Sequence, residues 1–294
     1  MVKLKRMRLK NYCGFRDSTI DFTDGKKIKQ MVCFCGRNGC GKSTSIYAAD
    51  MLGGSYRFEG RENDQLFRKI TYSQDYDPAL SAMMKIKQNM KLEGVFDDDG
   101  KERRVVIDSG GVVINELPMK QSYPREYVYK IDADNMVNLH KFSIHAGYEK
   151  TFLALANEVY GFKVTLGNKM NDLSVSSESF YTDVIIHKKI RGSITKVHFR
   201  RMSDGERKIA KLCESLCNPI WMKNIDIVGL DNMEMHIYYE RHARMISKIL
   251  ELFPDKQFIV TTHSAVLAGM KDDKLGIDIK PFLPAKYLYN VENM

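Results

Sequence analysis

The strongest chemical signal in the sequence is a glycine-rich segment that leads directly into a lysine and two hydroxyl side chains. It matches the pattern Gly-x-x-x-x-Gly-Lys-Ser/Thr, and an apolar, strand-like run at residues 31–35 precedes it. Glycines here let backbone N–H groups face phosphate oxygens, the lysine can reach the β- and γ-phosphates, and the next hydroxyl suits Mg²⁺. This phosphate loop therefore predicts a site for ATP and Mg²⁺, made of Gly36, Arg37, Asn38, Gly39, Cys40, Gly41, Lys42, Ser43 and Thr44.

A second segment with chemical potential opens a helix whose apolar residues, at 209, 212, 213 and 216, fall on one face. Ser203 and Glu206 have the spacing of a capping box, which by itself needs no further function. A helix start with Ser203 and Gly205 at its tip can also bind an anion such as a γ-phosphate. Because this segment lies far along the chain from the phosphate loop, it could serve the nucleotide of a second protomer.

Two further polar side chains follow apolar runs in the last hundred residues. Asp231 ends the run at 225–230, and we expect its strand to lie beside that of the phosphate loop, where a carboxylate can hold Mg²⁺ through water. The ordinary alternative makes Asp231 the N-cap of the next helix. His263 follows the run at 258–261; a lone histidine at a strand end is usually structural, but here it could instead sense the γ-phosphate or position water.

The elements around these residues follow an α/β pattern. Residues 225–230 and 258–261 read as strands joined by one helix, which implies a parallel pair with a right-handed crossover. No linker or repeat divides the chain, so we predict one unit over residues 1–294, with an N-terminal lobe (1–125), a middle segment of unclear role (126–190) and a C-terminal lobe (191–294). The other predicted elements are two strands within 2–22, a small antiparallel hairpin layer within 94–114, and helices at 43–52, 152–160 and 237–252.

Composition limits the classes of protein that the chain can be. The hydrophobic share is 44%, six cysteines are too few for a disulfide scaffold, and neither a signal peptide nor a membrane span is recognisable. We therefore expect a cytoplasmic protein with reduced thiols and no membrane contact. The net charge is +9, concentrated at residues 3–10, 187–191 and 200–201. This excess suits nucleic acid, although a solvated basic face together with the needs of the nucleotide site also explains it.

Taken in order, the four segments resemble the ABC ATPase superfamily. Residues 36–44 resemble its Walker A loop, 203–206 its signature motif, 227–231 its Walker B strand, and His263 its switch histidine. The opening strands and the segments at 231–236 and 261–264 are similar to the SMC/RecF/OLD-type branch rather than to a transporter subunit. The resemblance covers about 1–60 and 195–270. It implies a P-loop NTPase fold with a mainly parallel central sheet flanked by helices, and a smaller antiparallel β layer.

The sequence departs from this family at three places. The family has its catalytic glutamate directly after the Walker B aspartate, where this chain has Asn232, and an amide cannot act as a general base. Glu234 is a substitute, but its side chain is expected to point elsewhere. Gln65 and Gln74 are the candidates for the family's Q-loop glutamine. Residues 145–190 lack the heptads of a coiled-coil arm, and no nuclease domain follows, which suggests a bare ATPase head.

The resemblance also implies a function. Two protomers of a homodimer or higher oligomer would clamp ATP–Mg²⁺ between Walker A of one and Ser203 of the other, with Lys42, Asp231, Asn232, Glu234 and His263 as the catalytic candidates. The clamp would govern a separate effector protein, often a nuclease, in DNA repair or anti-phage defence. Asn232 motivates an alternative, an ATP-binding scaffold with little hydrolysis. The ATPase subunit of a transporter is the less favoured alternative.

Overall fold

The computed structural model describes residues 1–13, 15–36, 40–53, 90–108, 113–116, 128–132, 139–171, 179–219, 223, 225–264, 267 and 277–281. Three members of the predicted phosphate loop, Arg37, Asn38 and Gly39, lie outside these residues. The Q-loop candidates Gln65 and Gln74 lie outside them as well.

The N-terminal elements are mainly strands, with one helix directly after the phosphate loop. In chain order they are β1 (Val2–Tyr12), β2 (Phe15–Asp21), β3 (Thr23–Asp24), β4 (Lys27–Ile28), β5 (Met31–Cys35), α1 (Lys42–Gly53), β6 (Lys91–Asp98), β7 (Lys101–Asp108) and β8 (Val113–Asn115).

The later elements alternate more regularly between strands and helices. They are β9 (Val128–Asp132), β10 (Ile144–His145), α2 (Glu149–Tyr160), β11 (Lys163–Asn171), β12 (Ser179–Ile190), β13 (Ser193–His198), α3 (Asp204–Leu216), β14 (Ile227–Asp231), α4 (Tyr239–Leu252), β15 (Gln257–Thr262) and β16 (Ile277–Pro281). Short 3₁₀ turns, Ala146–Tyr148 and Phe199–Arg201, precede α2 and α3. Among the described residues, no helix is long and apolar enough to cross a membrane.

A five-stranded parallel sheet in the order β16-β5-β15-β14-β9 forms the centre of the fold. β5, β14 and β15 are buried almost throughout, as their continuous apolar runs predict. The predicted parallel pair joined by one helix is confirmed as β14, α4 and β15. The carboxyl ends of these parallel strands meet at one edge, so this sheet places their terminal residues together.

Alternate residues of the central strands enter two different cores, because side chains alternate between the faces of a sheet. Val32, Phe34 and Ile259 pack on one face with α1 and the N-terminal strands. Cys33, Val260 and their neighbours pack on the other face with α2, α3 and α4. Helices and further strands thus cover both faces of the parallel sheet, as the ABC-type fold class predicts.

The antiparallel sheet is wider than the sequence predicted. The hairpin expected near residues 94–114 is present as β6 and β7, with β8 beside them, but it continues into the N-terminal strands in the order β2-β1-β6-β7-β8. Alternating apolar residues of β1, such as Leu4 and Leu9, are fully buried. They share a core with Leu92 and Phe96 of β6 and with residues of α1, while β6 pairs with the backbone of β1.

The middle segment contributes to two sheets. β9 extends the parallel sheet beside β14, while β10, β11 and β12 form a separate antiparallel sheet to which β13 adds. Val184 and Ile186 of β12 pack into the core with the three later helices. This third sheet leads through β13 directly to the start of α3.

We expect Gln257→Leu to lower the free energy of unfolding by about 3 kcal/mol, because the N–H and the carbonyl of Leu4 lose this partner and the bond to the Lys29 carbonyl at 3.3 Å is lost as well. The Gln257 side chain is fully buried. It accepts a hydrogen bond from the Leu4 N–H at 2.7 Å and donates one to the Leu4 carbonyl at 2.9 Å. Urea unfolding measures the change. Gln30→Leu is the matched control, since Gln30 is only partly buried and bonds at 3.2–3.4 Å; equal losses in the two variants would contradict the prediction.

Candidate nucleotide site

The phosphate loop joins β5 to α1, the strand–loop–helix context that the sequence predicted. Gly41 has φ 93°, in the left-handed region that favours glycine. Lys42 is the first residue of α1, and its side chain is only 5% exposed. Its ammonium donates to the Gly36 carbonyl at 2.9 Å, which holds the charge over the loop. Cys40 is buried beside it, and Thr44 is half-buried.

Asp231 lies at the carboxyl end of β14 and is 3% exposed. It accepts a hydrogen bond from the Ser43 hydroxyl at 2.9 Å and another from the Thr261 hydroxyl. The Ser43 contact joins residues 188 positions apart in the chain. It is the contact that brings the predicted Walker A and Walker B residues into one site.

One expectation about Asp231 needs correction, and its ordinary alternative is excluded. Its strand does not lie beside β5, because β15 stands between the two; Asp231 still reaches Ser43 since all three strands end at the same sheet edge. Asp231 is also not the N-cap of the next helix. Turns occupy the residues after it, and the N-cap of α4 is Tyr238.

The donor set at Ser43 and Asp231 fits Mg²⁺. Both atoms in the contact are oxygens, one from a hydroxyl and one from a buried carboxylate, and Mg²⁺ prefers oxygen ligands. Mg²⁺ usually uses one or two protein oxygens together with waters and phosphate oxygens. A hydroxyl and a carboxylate at the end of the phosphate loop match that requirement.

Asn232 and Glu234 occupy very different positions after β14. Asn232 is half-buried, has φ 52°, and donates its backbone N–H to the Thr261 hydroxyl at 3.0 Å. Glu234 is 7% exposed, and its Oε1 accepts the backbone N–H of His263 at 2.5 Å. Its Oε2 is buried and has no hydrogen-bond partner within the part of the chain that the structure describes. A buried carboxylate oxygen without a partner is costly, so this position calls for a functional explanation.

His263 follows β15 directly, and its side chain is exposed while its backbone is held by Glu234. The next residue is held by His242, which sequence reasoning missed. The buried His242 ring pairs Nδ1 with the Ser264 hydroxyl at 2.7 Å and Nε2 with the Ile237 carbonyl at 3.0 Å. Because a carbonyl only accepts, Nε2 carries the proton and Nδ1 accepts from Ser264. The only sequence signal was a histidine on the apolar face of α4.

The predicted signature segment forms the N-terminus of α3 as a complete capping box. The Ser203 hydroxyl accepts from the Glu206 N–H at 3.4 Å, and Glu206 accepts from the Ser203 N–H at 2.9 Å. Burial tends to raise the pKa of Glu206, but the bond from Lys188 and those from Ser203 outweigh it and lower the pKa. The carboxylate is therefore ionised at neutral pH.

Gly205 connects this helix start to the loop after Asp231. A Cβ atom added at Gly205 would lie 3.2 Å from the Cβ and the Nδ1 of His236, so the backbone there packs closely against that histidine. The chain thus gathers Lys42, Ser43, Asp231, Asn232, Glu234 and His263 through direct bonds or neighbouring positions. The contact between Gly205 and His236 brings Ser203 and Glu206 next to this group.

Comparison with known proteins gives a family and two named relatives. The AAA domain family (AAA_23) matches residues 6–211. The chain is 23% identical to the Septu protein PtuA of Bacillus mycoides (strain KBAB4), in an alignment that covers 99% of this chain and 44% of that protein. It is 24% identical to the Septu protein PtuA of Bacillus thuringiensis, covering 99% of this chain and 80% of that protein. The chain therefore spans less than half of the first relative and four fifths of the second.

Solved structures show the same fold at low identity. The SMC head domain from Thermotoga maritima matches with a TM-score of 0.53 and 18% identity, covering 90% of each chain. An Smc head bound to the C-terminal winged-helix domain of ScpA matches with a TM-score of 0.54 and 14% identity, again covering 90% of each chain. The Smc head from Pyrococcus furiosus with an extended coiled coil matches with 0.53 and 13%, covering 90% of this chain and 91% of that one.

Proposed function

The chain belongs to the AAA domain family and shares the fold of SMC heads, and from this premise we propose that it clamps ATP–Mg²⁺ between two copies of itself. The observation that carries the proposal is the hydrogen bond between Ser43 and Asp231, which joins the phosphate loop to the end of β14. Closure of the dimer is the state that a partner protein would read. Nucleotide loss would reopen it, because the bound nucleotide supplies the contacts that favour the closed state.

Three residues of one protomer hold the phosphates and the Mg²⁺ in this proposal. Lys42 exchanges its bond to the Gly36 carbonyl for β- and γ-phosphate oxygens, and its low exposure strengthens the attraction. Ser43 and Asp231 hold the Mg²⁺, directly or through water. When bound there, Mg²⁺ would supply positive charge that neutralises phosphate oxygens and so favours attack by water on the γ-phosphate. Thr261 keeps the Asp231 carboxylate oriented through its hydroxyl.

The second protomer contributes the N-terminus of α3. Backbone N–H groups and the helix dipole at this position favour an anion. The Ser203 hydroxyl lies 3.0 Å from a Glu206 carboxylate oxygen, to which it donates its proton. On closure, we propose that this proton turns to the γ-phosphate of the partner's nucleotide, while the backbone part of the capping box keeps α3 in place.

Glu234 and His263 form the proposed switch on the γ-phosphate side. Glu234 fixes the His263 backbone, which leaves the exposed imidazole to approach the phosphate. The unpartnered Glu234 Oε2 is the carboxylate oxygen that can accept a proton from water, which the Asn232 amide cannot do. We propose slow hydrolysis through Glu234. A scaffold that barely hydrolyses ATP is the second candidate, and Asn232 is the observation that favours it.

Asn232→Glu is expected to raise the rate of phosphate release by about tenfold or more, because a well-placed general base contributes roughly 10²–10⁴-fold. Part of that gain in rate is lost, because residue 232 has a φ of 52°, which asparagine adopts more readily than glutamate. The backbone strain of the glutamate variant costs about 1 kcal/mol. Asn232→Gln is the control that changes length without adding a base. An unchanged rate in Asn232→Glu would contradict the proposed defect. Rapid turnover of the unmodified protein would eliminate the scaffold candidate.

We propose that the closed dimer governs a separate effector protein, such as a nuclease or another enzyme that acts on invading DNA. The resemblance implies either DNA repair or anti-phage defence. Of these, the match to the two Septu proteins over 99% of the chain leads us to propose defence. Co-purification of the effector should depend on ATP in the unmodified protein and be lost in Lys42→Ala. An effector that binds both proteins equally would contradict gating.

Nucleic acid is proposed to contact the exposed face of the third sheet. Register places Lys163, His187 and Lys196 side by side on one face. Burial lowers the pKa of His187, and both lysines lower it further, so the lysines carry the charge at neutral pH. The logarithm of the binding constant for duplex DNA should fall linearly with the logarithm of the salt concentration. The magnitude of this slope should be smaller by about 2 in Lys163→Gln/Lys196→Gln. A flat salt response would end this proposal.

A further inference from the structure

A cleft of about 710 Å³ opens on the side of the molecule where the chain enters α3. Three separate stretches line it: the segment before β10, the facing strands β11 and β12, and the 3₁₀ turn before α3. We call it the α3 cleft. Its charged and imidazole-bearing lining residues are His140, Lys141, Asp183, His198, Arg200 and Arg201.

The α3 cleft holds cations without carboxylate partners. Among the described residues, no ion pair engages Lys141, Arg200 or Arg201, whereas Arg104 and Lys211 are each paired with a carboxylate. Asp183 is the one carboxylate among the lining residues, and it already has hydrogen-bond partners. It lies 2.7 Å from the His198 Nδ1 and accepts the Phe199 N–H at 3.1 Å. The cleft therefore has an uncompensated positive charge.

The shape and charge of the cleft define the class of ligand. Pockets for small ligands are typically about 300–1,000 Å³ and have a few polar groups that fix orientation. Two guanidinium groups and an ammonium match phosphate oxygens, to which arginine can bond twice. Neutral polar groups of Ser143, Asn168 and Thr182 line the rest. We propose that the α3 cleft binds a phosphate-rich small molecule of nucleotide size, separately from the phosphate loop.

The segment before β10 and the 3₁₀ turn before α3 form two walls of the cleft, and both are connected to α3. Lys211 of α3 donates to the Lys141 carbonyl at 3.2 Å, and the Ser143 N–H donates to the Glu214 carboxylate at 3.3 Å. On the other wall, Arg201 stands two residues before Ser203. On the clamp proposed above, a ligand that draws these walls together acts on the start of α3, which carries the signature segment, and on its C-terminal half, where Lys211 and Glu214 lie. The cleft is thus a regulatory site, and α3 carries its signal to the partner's nucleotide.

The test uses Lys42→Ala as the background, so that the phosphate loop contributes little, and inorganic tripolyphosphate without Mg²⁺ as the probe. Calorimetry should detect one site per chain. Arg200→Gln/Arg201→Gln should weaken binding about tenfold or more, because two charge-assisted contacts are lost. Lys26→Gln/Lys27→Gln removes the same charge from exposed residues at the start of β4, outside the cleft, and should change affinity less than about twofold.

Each other outcome overturns the proposal. Absence of binding means that the cleft is not a phosphate site. Equal weakening in the two double variants means that only general electrostatic attraction acts. If the arginine variant loses affinity for duplex DNA but not for tripolyphosphate, the cleft is part of a nucleic-acid surface instead. Hydrogen exchange supplies the second readout: tripolyphosphate should slow exchange of amides at residues 204–216, and unchanged exchange there would refute the coupling to α3.

Discussion

Lys42→Ala is expected to weaken ATP binding by about a hundredfold or more. The ammonium is 5% exposed and held over the phosphate loop by the Gly36 carbonyl, so its attraction to phosphate is weakly screened. Two charge-assisted hydrogen bonds at about 1.5–3 kcal/mol each account for a loss of this size. Calorimetric titration with ATP–Mg²⁺ measures it.

Lys27→Ala is the control for that result, because Lys27 lies in the exposed strand β4. It removes one positive charge from the same N-terminal region and should leave ATP affinity within about twofold. If Lys42→Ala and Lys27→Ala bind ATP with similar affinity, the loop is not the phosphate site, and the proposals built on it fail with it.

Asp231→Asn is expected to lower ATP turnover by about 10²–10³-fold while leaving the affinity for Mg²⁺-free ATP within a few fold. The substitution keeps the size of the side chain but removes the negative charge that holds Mg²⁺. The remaining oxygen can still accept from Ser43 or Thr261, so the fold is retained. Phosphate release as a function of Mg²⁺ concentration measures the effect.

Asp226→Asn is a matched control, since Asp226 is also buried and lies next to the opposite end of the same strand, where it accepts the Val2 N–H at 2.8 Å. It should lower stability without changing the Mg²⁺ dependence. Equal Mg²⁺ dependence of Asp231→Asn and the unmodified protein would show that the carboxylate at the sheet edge does not serve the metal.

Local patterns in the sequence were sufficient to predict the elements that carry the site. The phosphate loop between β5 and α1, the capping box at α3 and the crossover from β14 to β15 each depend on residues close together in the chain. Strand alternation and cap chemistry are short-range properties, which explains why they could be read directly.

Contacts across long sequence separations could not be predicted in this way. The bond from Ser43 to Asp231 spans 188 residues, and the one from His263 to Glu234 spans 29. The order of strands, with β15 between β5 and β14, also has no local signal. These features depend on how the whole sheet assembles. Long-range contacts of this kind account for the wrong expectation about the neighbour of the Asp231 strand and for the role of His242, which sequence reasoning missed.

The width of the antiparallel sheet illustrates the same limit. β1 and β6 each show alternation, yet the 78 residues from 13 to 90 lie between them, and the sequence of neither strand specifies the other as its partner. Their backbones pair side by side, while their apolar side chains, including Leu4, Leu92 and Phe96, share one core. Sequence reasoning therefore predicted both groups of strands but did not predict that they form one sheet.

The most direct test of the proposed clamp is the mass of the protein in solution, measured by light scattering with ATP–Mg²⁺ and without nucleotide. We predict that ATP–Mg²⁺ doubles the mass of the unmodified protein. It should leave unchanged the mass of Lys42→Ala, which lacks the phosphate contact, and of Ser203→Arg, which binds ATP but blocks the partner's side. The same mass with and without ATP–Mg²⁺ in the unmodified protein would contradict closure by nucleotide and leave Ser203 and Glu206 as a helix cap.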